Sequence, residues 1–234
     1  QAYLTLFAKA REVTLFCAGL LFGRGGIFLP LAGHVFEQVD GFLGKLGAPR
    51  GVSCYKPYHS SGENYLHGYL GMLGIPLEPA PEFPADSGLV FLSAGAAGDG
   101  GIIDKIKTHL RKGKKVMITS GLLRALQDKG LDEIAEIKDT GNKVTVNEFA
   151  YPVFECSFGN YYKATREILI PRLEFATNDT RQLIVGFGAH NNFPVLLEAD
   201  YGGGRLYVLT VPDNPGDLYD FPEEVLNEIR RVMT

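Results

Sequence analysis

Tryptophan is missing from this 234-residue chain, and reactive side chains are few: three cysteines, three methionines and five histidines. Cys17, Cys54 and Cys156 show no C-x-x-C spacing, and an odd count cannot pair fully within one chain. They read as buried thiols, Cys54 most clearly because it falls in an expected strand. No His/Asp/Glu set has metal-ligand spacing. Glu63 and His67 at i, i+4 come nearest, so no metal is expected. Neither G-x-x-x-x-G-K-[ST] nor G-x-G-x-x-G occurs, which removes the support for a nucleotide, and no cofactor is expected. There is no basic surplus: 23 Lys and Arg stand against 27 Asp and Glu, a net charge of −4, which argues against a nucleic-acid partner. The apolar run Val13–Phe22 is shorter than the roughly 20 residues a membrane span needs. It also lacks the basic n-region and cleavage site of a signal peptide. A soluble protein without a membrane span is expected, its compartment open. No internal repeat is evident.

What remains is ordinary globular material, 45% hydrophobic and 21% charged. The length fits one α/β domain with an N-terminal flanking segment. Residues 1–48 read as that segment, the end of a larger parent protein, and residues 49–234 as the domain. In the segment, Gln1–Arg11 reads as a helix, Val13–Phe22 as strand or buried helix, and Gly33–Leu46 as an amphipathic helix.

The domain is organised around GVSCYKPYHSSGENYLHGYLGMLGIP, residues 51–76. Val52–Tyr55 reads as a strand, Pro57–Gly62 as a polar turn and Glu63–Leu73 as a helix. Leu77–Pro84 is extended, and its prolines confine it to an edge or loop. Leu89–Ser93 and Val116–Thr119 are apolar runs suited to strands buried on both faces. Between them AGAAGDGG reads as a flexible loop and Ile102–Arg111 as a helix stopped by Gly113. Ser120-Gly121 turns into a helix over Leu122–Gln127. This alternation argues for a parallel, doubly wound sheet. Later, Ile134–Lys138 and Lys143–Phe149 read as a hairpin around Thr140-Gly141-Asn142. Ile168–Ile170 and Leu183–Phe187 are further strands. Val195–Ala199 and Arg205–Val211 flank Asp200–Gly204 as the clearest hairpin, and a last helix follows Phe221-Pro222.

The closing PVLLEADYGGGRLYVLTVPDN and the strand–turn–helix KKVMITSGLLRAL resemble the class I glutamine amidotransferase-like domains of β-galactosidase trimerisation regions and related secreted carbohydrate-active proteins. The resemblance covers the chain from Gly51 onward. It implies a flavodoxin-like three-layer α/β/α sandwich, mainly parallel, with a C-terminal β-hairpin. It also implies a carbohydrate setting, in a secreted or periplasmic bacterial protein. The family's glutaminases carry Cys at the elbow, with His and Glu after the last core strand. Here the elbow holds Ser120, and Pro212-Asp213-Asn214 follow the hairpin, so no glutaminase activity is expected.

The polar residues at the strand ends then become a binding rim: Tyr58, His59, Ser60, Ser61, Glu63 and Ser120. Helix N-termini at such an edge suit an anion or a polar ligand, a saccharide or small molecule. Capping explains the same residues more simply: Ser60 or Ser61 as N-cap with Glu63 in the first turn, and Ser120 as N-cap of its helix. A hydrolase would need Ser120 as nucleophile with His59 as base. Capping is favoured because it needs no partner. Tyr55, Tyr58, Tyr65 and Tyr69 read as an aromatic cluster at the same edge. The reading is a catalytically degenerate accessory, binding or assembly module. The rivals are a serine esterase and a docking or oligomerisation domain that engages a partner domain or a second copy.

Overall fold

The computed structural model describes residues 18–23, 26–45, 47, 50–154 and 157–234. Cys17, Cys156 and the helix expected over Gln1–Arg11 lie outside them. The chain divides into two compact units, Gln1–Arg50 and Gly51–Thr234.

In the first unit, α1 spans Ala18–Gly23 and α2 spans Phe28–Asp40. The helix expected over 33–46 therefore starts and stops earlier. Pro30 falls in the first turn, where a backbone N–H has no intrahelical acceptor, so the helix can begin at Phe28. No residue of α2 is buried.

In the second unit the strands are β1 (Val52–Tyr55), β2 (Leu77–Ala80), β3 (Leu89–Leu92), β4 (Lys115–Thr119), β5 (Ile137–Phe154), β6 (Ser157–Phe175), β7 (Thr180–Gly188), β8 (Asn191–Tyr201) and β9 (Gly204–Leu209). The helices are α3 (Leu66–Met72), α4 (Ile102–Arg111), α5 (Ser120–Leu126) and α6 (Glu223–Met233). Among the described residues these strands form one mixed sheet in the order β2-β1-β3-β4-β9-β8-β7-β5-β6. β2, β1, β3, β4 and β9 run parallel, and every pairing from β9 outward to β6 is antiparallel. The α/β class and the parallel run β1-β3-β4 are as the sequence indicates.

Two-residue alternation builds the layers. Val116 and Ile118 of β4, with Leu206 and Val208 of β9, pack under α4 and α5. Met117, Tyr207 and Leu209 point the other way and pack under α3 and α6. Helix α4 places Ile102, Ile106 and Leu110 on the sheet, and α6 places Val225, Leu226, Ile229 and Val232. The edge strand β2 accommodates Pro79, where a missing N–H costs no ladder bond.

The hairpin expected at Thr140-Gly141-Asn142 does not form. β5 runs straight through it and pairs with β6, with the register shifting between Asp139 and Lys143. Gly141 takes φ +77°, its N–H donates to Asp139 Oδ1 at 2.8 Å, and Asn142 N donates to Thr140 Oγ1 at 3.2 Å. Those side-chain bonds satisfy the backbone within a bulge, so no chain reversal is needed. The YGGGR hairpin does form. Gly202 and Gly203 supply the two positive φ angles of a type I′ turn. Gly204 serves a different need, a close approach to the carbonyls of Leu110 and Lys114, where any Cβ would collide.

Candidate functional site

The carboxyl ends of β1, β3 and β4 lie side by side and emit the segments 56–65, 93–99 and 119–121. Glu63 closes this edge. Gly62 and Glu63 both take positive φ, +129° and +50°. That turn of the backbone sends the half-buried Glu63 side chain across to the neighbouring strand ends. Its Oε2 accepts from Ala94 N at 2.7 Å and from Thr119 Oγ1 at 2.6 Å. Gly121 N–H is a further donor, and only a glycine fits there because a Cβ would collide with Glu63 Oε1. Burial raises the Glu63 carboxyl above the usual carboxylate range, against the pull of the Thr119, Ala94 and Gly121 hydrogen bonds.

This corrects the expected helix start. With Glu63 in the left-handed region the helix begins at Leu66, and Tyr65 at its N-cap provides no side-chain bond. Neither Ser60 nor Ser61 caps it. Ser60 Oγ donates to Pro57 O at 2.7 Å and packs beside Gly95 and Gly98, while Ser61 is exposed. The expected loop 94–101 is partly ordered: Ala94–Gly98 forms a 3-10 turn with Gly95 and Ala96 buried. Ser93 at its start is buried, and its hydroxyl has no partner among the described residues.

Ser120 is not the N-cap either. Thr119 is, its Oγ1 accepting from Leu122 N at 3.1 Å while its hydroxyl proton goes to Glu63. Ser120 is 1% exposed, and its Oγ accepts from Val211 N at 3.0 Å, which ties the elbow to the segment leaving β9. His59 is exposed, with φ +57°. A nucleophile needs an open path and a base at hydrogen-bond distance; the Ser120 hydroxyl is closed in and already bound to the backbone. Tyr58 and Tyr65 stand out in solvent, Tyr69 pairs with Tyr219, and Tyr55 is buried against Phe83, so the four tyrosines do not cluster.

Two further groups were not legible in the sequence. Cys54 Sγ lies 3.2 Å from His67 Nε2. Burial pushes the thiol up to about 12, only partly opposed by Lys56, and burial also lowers the imidazole. Both shifts favour the neutral pair, so this is a packed thiol–imidazole contact rather than a thiolate nucleophile. At the end of β1, Tyr55 OH and Lys105 Nζ both donate to Asp99 Oδ2, at 2.8 and 2.5 Å, and Gly101 N donates to Asp99 Oδ1. Burial alone would raise Asp99, but these three donors outweigh it and hold the carboxyl below its usual value. The trio anchors the start of α4. No group of three or more His, Cys, Asp or Glu among the described residues could hold a metal ion. No described helix is long and apolar enough to cross a membrane.

A parallel α/β core with helices on both faces, extended by a long antiparallel ribbon and closed at the strand ends by its own carboxylate, defines the class: an α/β sandwich domain with a filled strand-end site. The chain belongs to the family described as the second domain of the uncharacterized protein SSO3021, whose model matches residues 45–214. Solved structures agree on the fold. Gan42B, a GH42 β-galactosidase from G. stearothermophilus, is 11% identical with a TM-score of 0.53 over 88% of this chain and 33% of its own. A β-galactosidase from Bacillus circulans sp. alkalophilus is 14% identical, TM-score 0.51, over 85% and 35%. PurLQS from Thermotoga maritima is 14% identical, TM-score 0.51, over 80% and 100%. The chain thus spans about a third of the length of those β-galactosidases. At such identity the likeness carries the fold alone. No curated protein matches the chain.

Proposed function

We propose that the domain is a catalytically silent, amidotransferase-like module that serves a larger carbohydrate-active protein as an accessory or assembly unit. The observation that carries the reading is the occupied strand-end site. The donors that a ligand or an oxyanion would use, Ala94 N, Gly121 N and Thr119 Oγ1, are held by Glu63. The hydroxyl at the elbow is buried and bound to Val211 N. The fold likeness to parts of two β-galactosidases supports the carbohydrate setting, and a secreted or periplasmic location goes with it.

The test is a turnover panel on the 234-residue chain. Glutamine and acetyl and aryl esters are the substrates, and Ser120→Ala is the paired control. The expected result is ammonia and ester release at the buffer rate for both proteins. Ser120-dependent turnover in a folded protein refutes the module and moves the assignment to a serine hydrolase. Thermal shift against galactose and galacto-oligosaccharides separates binding from pure assembly: a rise in melting temperature assigns a saccharide site, and no rise leaves assembly as the role.

A further inference from the structure

Between α4 and the segment 81–88, which joins β2 to β3, lies a cavity of about 220 Å³. Its wall is almost wholly apolar, made by Phe83, Ala85 and Thr108 with the methylene stems of Lys105 and Lys112. His109 lines it as well. That histidine is 2% exposed, and its Nε2 is buried with no hydrogen-bond partner among the described residues. Buried polar atoms nearly always have a partner, whether protein, water or ligand. Burial, then Lys114 and Lys112, hold the imidazole below its ordinary range, so it is neutral at pH 7. Phe83 stands edge-on against it, with ring centroids 5.6 Å apart at 82°.

We propose that this cavity binds a small aromatic carboxylate, its ring against Phe83 and its carboxylate accepting from His109 Nε2 beside Lys112. Three features select that class. The first is size. A dry apolar cavity of about 150 Å³ takes a benzene molecule, so this one holds a single ring with one small substituent. The second is polarity. Apolar walls around one buried nitrogen suit a hydrophobic body that carries one hydrogen-bonding group. A neutral imidazole has one N–H, and a bound carboxylate places that hydrogen on Nε2. The third is charge. Both charged groups that act on the imidazole, Lys114 and Lys112, are cations. Asp104 is the one carboxylate in the lining. Lys105 is taken up by Asp99 at 2.5 Å, whereas Lys112 forms no ion pair among the described residues, and Lys114 Nζ donates to the Ala85 carbonyl at 2.7 Å. Nε2 has no open surface, so entry takes a turn of the Phe83 ring, which is half-buried on a connecting segment.

The experiment titrates the isotope-labelled 234-residue chain with benzoate and, separately, with benzamide, a neutral molecule of nearly the same shape. Amide shifts are read residue by residue. Benzoate should give saturable shifts confined to residues 83–86 and 104–112, and should bind at least about tenfold more tightly than benzamide. Ala85→Phe, on the exposed rim, fills the cavity and should abolish the shifts. His109→Phe keeps a buried ring but removes the nitrogen, and should bring benzoate level with benzamide. Should that variant fail to fold, the benzoate-to-benzamide ratio in wild type and the Ala85→Phe titration decide. No saturable shift up to about 10 mM benzoate overturns the inference. So does equal affinity for the two molecules in wild type, or binding that survives Ala85→Phe. Shifts at residues 94 and 119–121 in place of the cavity would assign the anion to the strand ends and overturn it too. The cavity lining includes none of Glu63, Ala94, Thr119 and Gly121, and the titration reads no turnover. The inference can therefore fail while the silent-module reading stands, and the reverse.

Discussion

Removing the Glu63 carboxylate is the sharpest perturbation of the strand-end site. Glu63→Ala deletes the acceptor for Ala94 N and Thr119 Oγ1, bonded at 2.7 and 2.6 Å, and for Gly121 N. A hydrogen bond to a charged group contributes about 1.5–3 kcal/mol when its partner would otherwise be left bare. The side chain is half-buried, so water can reach the vacated donors and recover part of this. The net cost is about 3 kcal/mol. Alanine also keeps the left-handed backbone at φ +50°, whereas glycine adopts it freely. Glu63→Gly should therefore cost about 1 kcal/mol less than Glu63→Ala, even though both lose the same bonds. For a domain of this size, 1 kcal/mol moves the melting temperature by about 2–4 °C, so the alanine variant should melt about 6–12 °C lower. Thermal and urea unfolding of wild type and both variants at pH 7 measure this. If Glu63→Ala melts within about 1 °C of wild type, the carboxylate does not close the site and the filled-site reading fails. If glycine proves worse than alanine, the backbone is not strained at this position.

Four other outcomes are expected. Because burial raises Glu63, the folded state holds its proton more tightly than the unfolded state. The wild-type minus Glu63→Gln stability difference should be greatest below the ordinary carboxylate range and should shrink as pH rises from that range through the folded value, a trend that urea melts at stepped pH would follow and that a flat difference would refute. Gly204→Ala should destabilise by about 1–3 kcal/mol or more, since its Cβ meets the backbone carbonyls of Leu110 and Lys114, whereas Gly100→Ala, with open space around it, should stay within about 0.5 kcal/mol; paired urea titrations check both. Cys54, fully buried and pushed up to about 12, should resist iodoacetamide at pH 8 in the native protein and react in denaturant, with mass spectrometry locating the label. Thr119→Ala should cost about 2 kcal/mol, more than an ordinary N-cap loss, because one hydroxyl both caps α5 and bonds Glu63; Thr119→Ser should restore most of that stability.

The parallel core was legible because it obeys simple periodicities. LVFLS and KVMIT are apolar on both faces, and IIDKIKTHLR shows helical spacing, so β3, α4 and β4 fall where the sequence places them. YGGGR was legible because a type I′ turn has few sequence solutions. The antiparallel ribbon was legible only in fragments. Thr140-Gly141-Asn142 has the composition of a tight turn, yet a bulge with side-chain bonds uses the same residues, and only pairing with β6 some thirty residues away decides between them. The strand-end site was half legible. Glu63 is prominent beside a helix start, but the sequence places it in that helix. Its conversion to a latch depends on φ at Gly62 and Glu63 and on donors 31 and 56 residues further along. Thr119 was passed over for Ser120, since one residue along the elbow exchanges the hydroxyl that faces Glu63 for the one that faces Val211, and both are buried.

That exchange lets the chain fill its own strand-end edge. A strand-to-helix elbow exposes backbone N–H groups at the end of β4, and donors left without an acceptor in a half-buried place are costly. They can be satisfied by water, by a ligand or by the chain itself. Here the chain satisfies them: a carboxylate from the turn after β1 reaches across β3 to β4, and Gly121 lacks the Cβ that would exclude it. The latch joins three neighbouring strand ends through one side chain. Ser120 on the inner side ties the same elbow to the exit of β9 through Val211 N. Both hydroxyls of the Thr119-Ser120 pair are thus spent on holding strands together. At this edge Ala94 N, Gly121 N, Thr119 Oγ1 and Ser120 Oγ are all bound within the chain, whereas the buried Ser93 hydroxyl at the end of β3 has no partner among the described residues.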